Sequence, residues 1–222
     1  MSRWLSIDPD LKVMLPDGTL RPMSDYEWPT VVLMLASLLL TISLFVPYWS
    51  LTMKAPQYPQ GLKATLFINR VEGDVEEIDG LNHYLGMPSL NEGGKIERQI
   101  SFLAVVVMAS LVLAAVLVHN RWAAVLALPA IIFPALFLAD LKYILYTYGH
   151  SIDPHSALGQ AIKPFTPPIL GEGKIGQFVT LAEWGPGLYL TMASSVLVIF
   201  GLYLHRRAYR AVSQARKRVN AK

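Results

Sequence analysis

Three histidines, a methionine and an aspartate are the clearest set of chemistry-bearing side chains in this sequence. His83 and Met87 belong to Gly80-Leu81-Asn82-His83-Tyr84-Leu85-Gly86-Met87, and His150, Asp153 and His155 to Tyr148-Gly149-His150-Ser151-Ile152-Asp153-Pro154-His155. Imidazole and thioether together suit copper, because the thioether favours the reduced ion and imidazole accepts either oxidation state. His83 and Met87 are four apart and would share a face on a helix. His150 and His155 are five apart, so a loop has to present them. Pro154 would stiffen that loop, and Asp153 would act as a ligand or as the carboxylate that orients one. The five residues form one candidate metal site if the two stretches meet. The alternative is architectural: His83 bonds a loop carbonyl, Met87 packs on apolar groups, and His150 joins Tyr143, Tyr146 and Tyr148 in a polar collar at a membrane edge.

Other chemistries fail on residue type or spacing. The chain has no cysteine, which removes disulfides, thiolate nucleophiles, iron–sulfur ligation and cysteine-bridged copper. Gly171-Glu172-Gly173-Lys174-Ile175 has Pro168 where a phosphate loop needs its first glycine and no Ser or Thr after the lysine. Asn91-Glu92-Gly93-Gly94-Lys95-Ile96 fails in the same way. Ser151 and His155 share a stretch, but no nucleophile elbow or oxyanion element accompanies them, so no catalytic residues are assigned. Asp140 and Lys142 end an apolar run, where lysine can snorkel and the acid can pair with a loop cation; structural anchoring is the expected role.

The elements that must position these residues are read from hydropathy. Of the 222 residues 53% are hydrophobic and only 16% charged, against about 25% charged in ordinary soluble domains. Four apolar runs of near-membrane length point to one integral membrane domain with spans over residues 29–49, 100–118, 122–139 (extending to about 147) and 187–204. Pro129 and Pro134 in the third should kink it or leave carbonyls for neighbouring groups to satisfy. Trp28, Trp49, Trp122 and Trp184 fall near the span ends. The net charge is +3, yet Arg206, Arg207, Arg210, Arg216, Lys217, Arg218 and Lys222 crowd the last stretch without an acid among them. That tail reads as a topology signal with some affinity for anionic lipid, not as a nucleic-acid site. It holds both termini in the cytoplasm and sends residues 50–99 and 148–186 outside. No cleavable signal peptide is expected, since the 28 residues before the first run are polar.

The expected fold is therefore an all-α membrane protein of four helices with a small extracytoplasmic cap. Within residues 50–99, Leu62 to Ile68 and Val75 to Ile78 read as a β-hairpin about Glu72-Gly73-Asp74, delivering the chain into Gly80 to Met87. Residues 148–186 read as an extended Pro/Gly-rich loop with little regular structure. Residues 1–28 form a cytoplasmic arm, with turns at Asp8-Pro9-Asp10 and Pro16-Asp17-Gly18-Thr19 and a small hairpin between them or an irregular tail. Residues 205–222 form the basic cytoplasmic tail.

One resemblance bears on function. Ala55-Pro56-Gln57-Tyr58-Pro59 with Gly61-Leu62, Gly73-Asp74-Val75, Ile78, Gly80-Leu81-Asn82-His83-Tyr84, Gly86-Met87, Tyr148-Gly149-His150, Asp153-Pro154-His155 and Pro167-Pro168 with Leu170-Gly171 resemble a family of small bacterial membrane proteins. These are found beside the copper-chaperone lipoprotein of nitrous oxide reductase maturation clusters. The resemblance implies a bacterial inner-membrane location and a copper-handling or denitrification setting. Two functions follow as expectations. One is a membrane accessory or assembly protein aiding copper delivery to an extracytoplasmic or membrane metalloenzyme, its cap meeting other subunits or a copper chaperone. The other is a non-catalytic subunit of a larger respiratory or oxidase-type complex. An enzyme acting on lipid or quinone ranks last.

Overall fold

The computed structural model describes residues 12–16, 18–156, 160, 163–175 and 178–220. In chain order the elements are β1 Lys12–Met14, β2 Leu20–Pro22, α1 Ser24–Ser43, β3 Trp49–Ala55, β4 Tyr58–Leu66, β5 Val71–Gly73 and α2 Val75–Leu85. There follow α3 Lys95–Leu117, α4 Trp122–His150, β6 Gly171–Ile175, β7 Phe178–Trp184 and α5 Pro186–Asn220. The chain is not all-α: it is 58% helical and 19% strand, and the seven strands form two antiparallel sheets. The turn expected at Asp8-Pro9-Asp10, Gly176 and Lys222 lie outside the described residues, as do Asp17 and the side chains of Tyr84, Arg216, Lys217 and Arg218.

Among the described residues four helices are long and apolar enough to cross a membrane: Ser24–Ser43, Lys95–Leu117, Trp122–His150 and Pro186–Arg210. The 29 residues of α4 run to about 44 Å at helical rise, past the roughly 30 Å hydrocarbon core. The surplus length suits its tyrosine-rich end. The chain divides into two compact units. One holds residues 1–39, 108–131 and 193–222; the other holds residues 40–107 and 132–192.

The terminus-bearing unit is packed with small side chains. Ala36, Ser37, Ala109, Ala115, Ala123, Ala127, Ala130, Ser194 and Ser195 are all buried, so backbones approach closely and hydroxyls reach carbonyls on other helices. Ser37 Oγ donates to the Ala109 carbonyl at 3.0 Å, Ser194 Oγ to Ala36 at 2.8 Å and Ser195 Oγ to Ala130 at 3.0 Å. The last bond answers the proline expectation. Pro134 has no N–H to give the carbonyl four residues back, and Ser195 supplies the missing donor. The hairpin of β1 and β2 pairs Met14 with Leu20 and Lys12 with Pro22.

The sheet-bearing unit is built on a five-stranded antiparallel sheet in the order β5-β4-β3-β7-β6. Register puts Trp49, Leu51 and Met53 of β3 beside Leu66, Ala64 and Leu62 of β4 and beside Trp184, Ala182 and Thr180 of β7. These residues share one face, which meets Phe137, Leu141 and Leu145 of α4 on one side and Ile78 and Leu81 of α2 on the other. The opposite face carries exposed Lys54, Lys63, Glu72, Glu172, Lys174 and Glu183, the alternation of an antiparallel sheet with one wet side.

Two expectations are corrected by this sheet. Val75 to Ile78 is helical and does not return as a hairpin partner; β4 pairs instead with β3 and with the three-residue β5. Residues 171–184, expected to lack regular structure, supply β6 and β7. A two-stranded hairpin cannot bury an apolar face by itself. β4 finds its partners in the neighbouring β3 and β5, whereas β7 pairs with β3 from more than a hundred residues away in sequence.

Candidate functional site

Gly80 to Met87 sits on the last turns of α2 and the residues just beyond. Glu76 and Glu77 open this helix, where carboxylates complement the macrodipole, and buried Val75 and Ile78 turn its apolar side to the sheet. Gly86 ends it in the left-handed conformation, φ 75°. The Gly86 N–H donates to the His83 carbonyl at 3.3 Å and Met87 N–H to Asn82 at 2.7 Å. The helix therefore stops between His83 and Met87, and they do not share a helical face. His83 is exposed, while Met87 lines a cavity with Asn82, Tyr148 and Phe165.

The two histidine-bearing stretches do meet, through backbone. The Asp153 N–H donates to the Gly86 carbonyl at 3.0 Å. Asp153 is committed to its own turn: Oδ1 accepts the His155 N–H at 2.9 Å, and its carbonyl accepts Ser156 Oγ at 2.7 Å. His150, at the end of α4, bonds the Tyr146 carbonyl through Nδ1 at 2.8 Å and stacks on the Tyr146 ring at 4.0 Å between centroids. His155 is exposed. Among the described residues no group of three His, Cys, Asp or Glu side chains is placed to hold a metal ion. His83, Met87, His150, Asp153 and His155 thus lie on two stretches that meet through backbone.

The acids that matter most here were not singled out from sequence. Asp79 clamps the segment after α2, accepting from Ser89 Oγ at 2.5 Å and the Leu90 N–H at 2.6 Å. Asp74 Oδ2 accepts the Lys63 N–H at 2.8 Å, tying the start of α2 to β4. Trp49 Nε1 donates to the Ile169 carbonyl at 2.9 Å and secures the Pro-rich segment to the sheet. The usable signal was the position of the aspartates beside turn residues, where short carboxylates bond local N–H groups.

Beneath the sheet's apolar face lie two small cavities. One, of about 140 Å³, is lined by Trp49, Leu66, Phe137, Leu141 and Tyr148, with Glu97, Arg98 and Asp140 also on its wall. The other, of about 60 Å³, is lined by Met53, Asn82, Met87, Tyr148 and Phe165 among others. Tyr148 borders both, and its Oη and Asn82 Nδ2 are buried without a hydrogen-bond partner. The larger is of the order of an apolar cavity that takes a benzene-sized group.

A second titratable cluster belongs to the terminus-bearing unit. His119 stacks on His205 at 5.5 Å, and Tyr209 approaches them at 4.1 Å and 4.6 Å. His205 is 5% exposed. The histidines' mutual contact was legible in the sequence only in that both fall at span ends. No protein-family model matches the chain, and none of the curated proteins compared with it matches.

Proposed function

We propose that this chain is a multi-pass membrane accessory or assembly protein whose five-stranded cap docks an extracytoplasmic partner, as a non-catalytic component of a larger complex. One observation carries the reading: three aspartates and a histidine of the sheet-bearing unit serve its architecture. Asp74, Asp79 and Asp153 accept backbone N–H groups, and His150 Nδ1 bonds a backbone carbonyl. What remains is a sheet with a solvent face of mixed lysine and glutamate, suited to recognition and register. The basic residues after the fourth span favour a bacterial inner-membrane topology with both termini cytoplasmic and the sheet outside. The test is native mass analysis of gently solubilised membranes. A stoichiometric partner lost on reversing Lys54 and Lys63 to glutamate is the expected result, and a chain that always migrates alone overturns the proposal.

A second reading, copper handling, has the Gly86–Asp153 junction in its favour, since it brings the helix bearing exposed His83 beside the loop bearing exposed His155. Exposed, unconverged imidazoles suit brief capture, not storage. Titration of purified protein with Cu(I) and Cu(II) should then give weak binding that the triple change His83→Ala, His150→Ala and His155→Ala removes. Equal binding by that variant rejects it.

A further inference from the structure

Within the terminus-bearing unit, α1 and α5 run antiparallel: Ala36 lies by Ser194, Leu33 by Gly201 and Tyr26 by Tyr209. Between them is a groove of about 400 Å³ whose lining changes character along its length. Arg21, Asp25 and Arg207 stand at one end. Val32 and Phe200 stand at the other, with Tyr26, Trp28 and Leu204 between. The seven helical steps from Asp25 to Val32 rise about 10 Å, so the groove passes from charged to fully apolar within the depth of a headgroup region and the first part of an acyl chain. Trp28 is 52% and Phe200 50% exposed, leaving the groove open along its side. Both helices are among the four able to cross a membrane.

The charges at the polar end favour an anion. Arg207 enters no ion pair among the described residues, and Arg21 reaches Asp25 only at 3.9 Å with both side chains about half exposed. Two guanidinium groups facing one carboxylate leave N–H donors free in the fork geometry that grips phosphate oxygens. A tryptophan at the same level is the usual companion of a lipid headgroup. We propose that the groove binds one anionic phospholipid, its phosphate on Arg207 and Arg21 and its acyl chain along Leu204, Val32 and Phe200. The site is distinct from the diffuse attraction of the basic tail, because it demands a chain as well as a charge.

The test uses the full-length protein in detergent, titrated with phosphatidylglycerol or phosphatidylcholine of identical acyl chains and read by native mass spectrometry. Wild type should retain one phosphatidylglycerol at least fivefold more strongly than phosphatidylcholine. Arg21→Ala with Arg207→Ala should bring the two lipids to parity, whereas Lys54→Ala with Lys63→Ala should change nothing. Should Arg21→Ala loosen β2, Arg207→Ala alone, at an exposed helical position, should still lower the preference at least threefold. Val32→Trp, filling the apolar end, should weaken retention of both lipids. No preference in wild type, or a preference undiminished in the arginine variants, overturns the proposal.

Discussion

Tyr48 ties several parts of the sheet-bearing unit together. It has no exposed surface, its ring meets Phe133 and Phe137, and its N–H and carbonyl bond Leu66 and Gly185. Ser43 Oγ lies 2.6 Å from the Leu40 carbonyl and 2.8 Å from Tyr48 Oη. The serine's single proton goes to the carbonyl, so the phenol donates to the serine. Tyr48→Phe should cost about 1 kcal/mol, the worth of one hydrogen bond. Thermal unfolding of the variant beside the wild type checks this, and an unchanged midpoint refutes the assignment.

At the scale of elements, α2 offers a paired prediction from two glycines. A Cβ on Gly86 would stand 2.3 Å from Ser156 Cβ, at a backbone φ of 75°, whereas one on Gly80 would meet nothing within 4 Å. Gly86→Ala should destabilise by more than about 1 kcal/mol and speed amide exchange at Met87 and Asp153. Gly80→Ala, in the helix interior, should stabilise by up to about 1 kcal/mol. The same effect from both variants would contradict the packing described. The four long helices were legible because a run of twenty apolar residues has few other uses. The cap was legible only in part. Leu62 to Leu66 reads as a strand from its own residues, but β3 and β7 pair across about 130 positions, and local propensity carries no information on such partners. Val75 to Ile78 was misread because Val75 and Ile78 suit a strand, while the decisive cues, acids in the first turn of α2 and Gly86 at its end, are those of a helix. The sequence left open whether the two histidine stretches meet; the Asp153–Gly86 bond that joins them turns on where α2 stops.

For the whole molecule, the absence of cysteine from the sequence makes topology directly testable. Single cysteines can be introduced without background. Gln57→Cys and Glu172→Cys should react with a membrane-impermeant maleimide added to spheroplasts, and Arg121→Cys and Gln214→Cys only after lysis. The reverse pattern would invert the proposed orientation. The sheet itself imposes an order in time. The centre strand β3 is flanked by β4, made a few residues later, and by β7, which directly precedes α5. Until the ribosome has finished residues 178–184, one edge of β3 stays open to any passing strand. A chain cut short before β7 therefore carries an unpaired edge that marks it for proteolysis or capture by a chaperone.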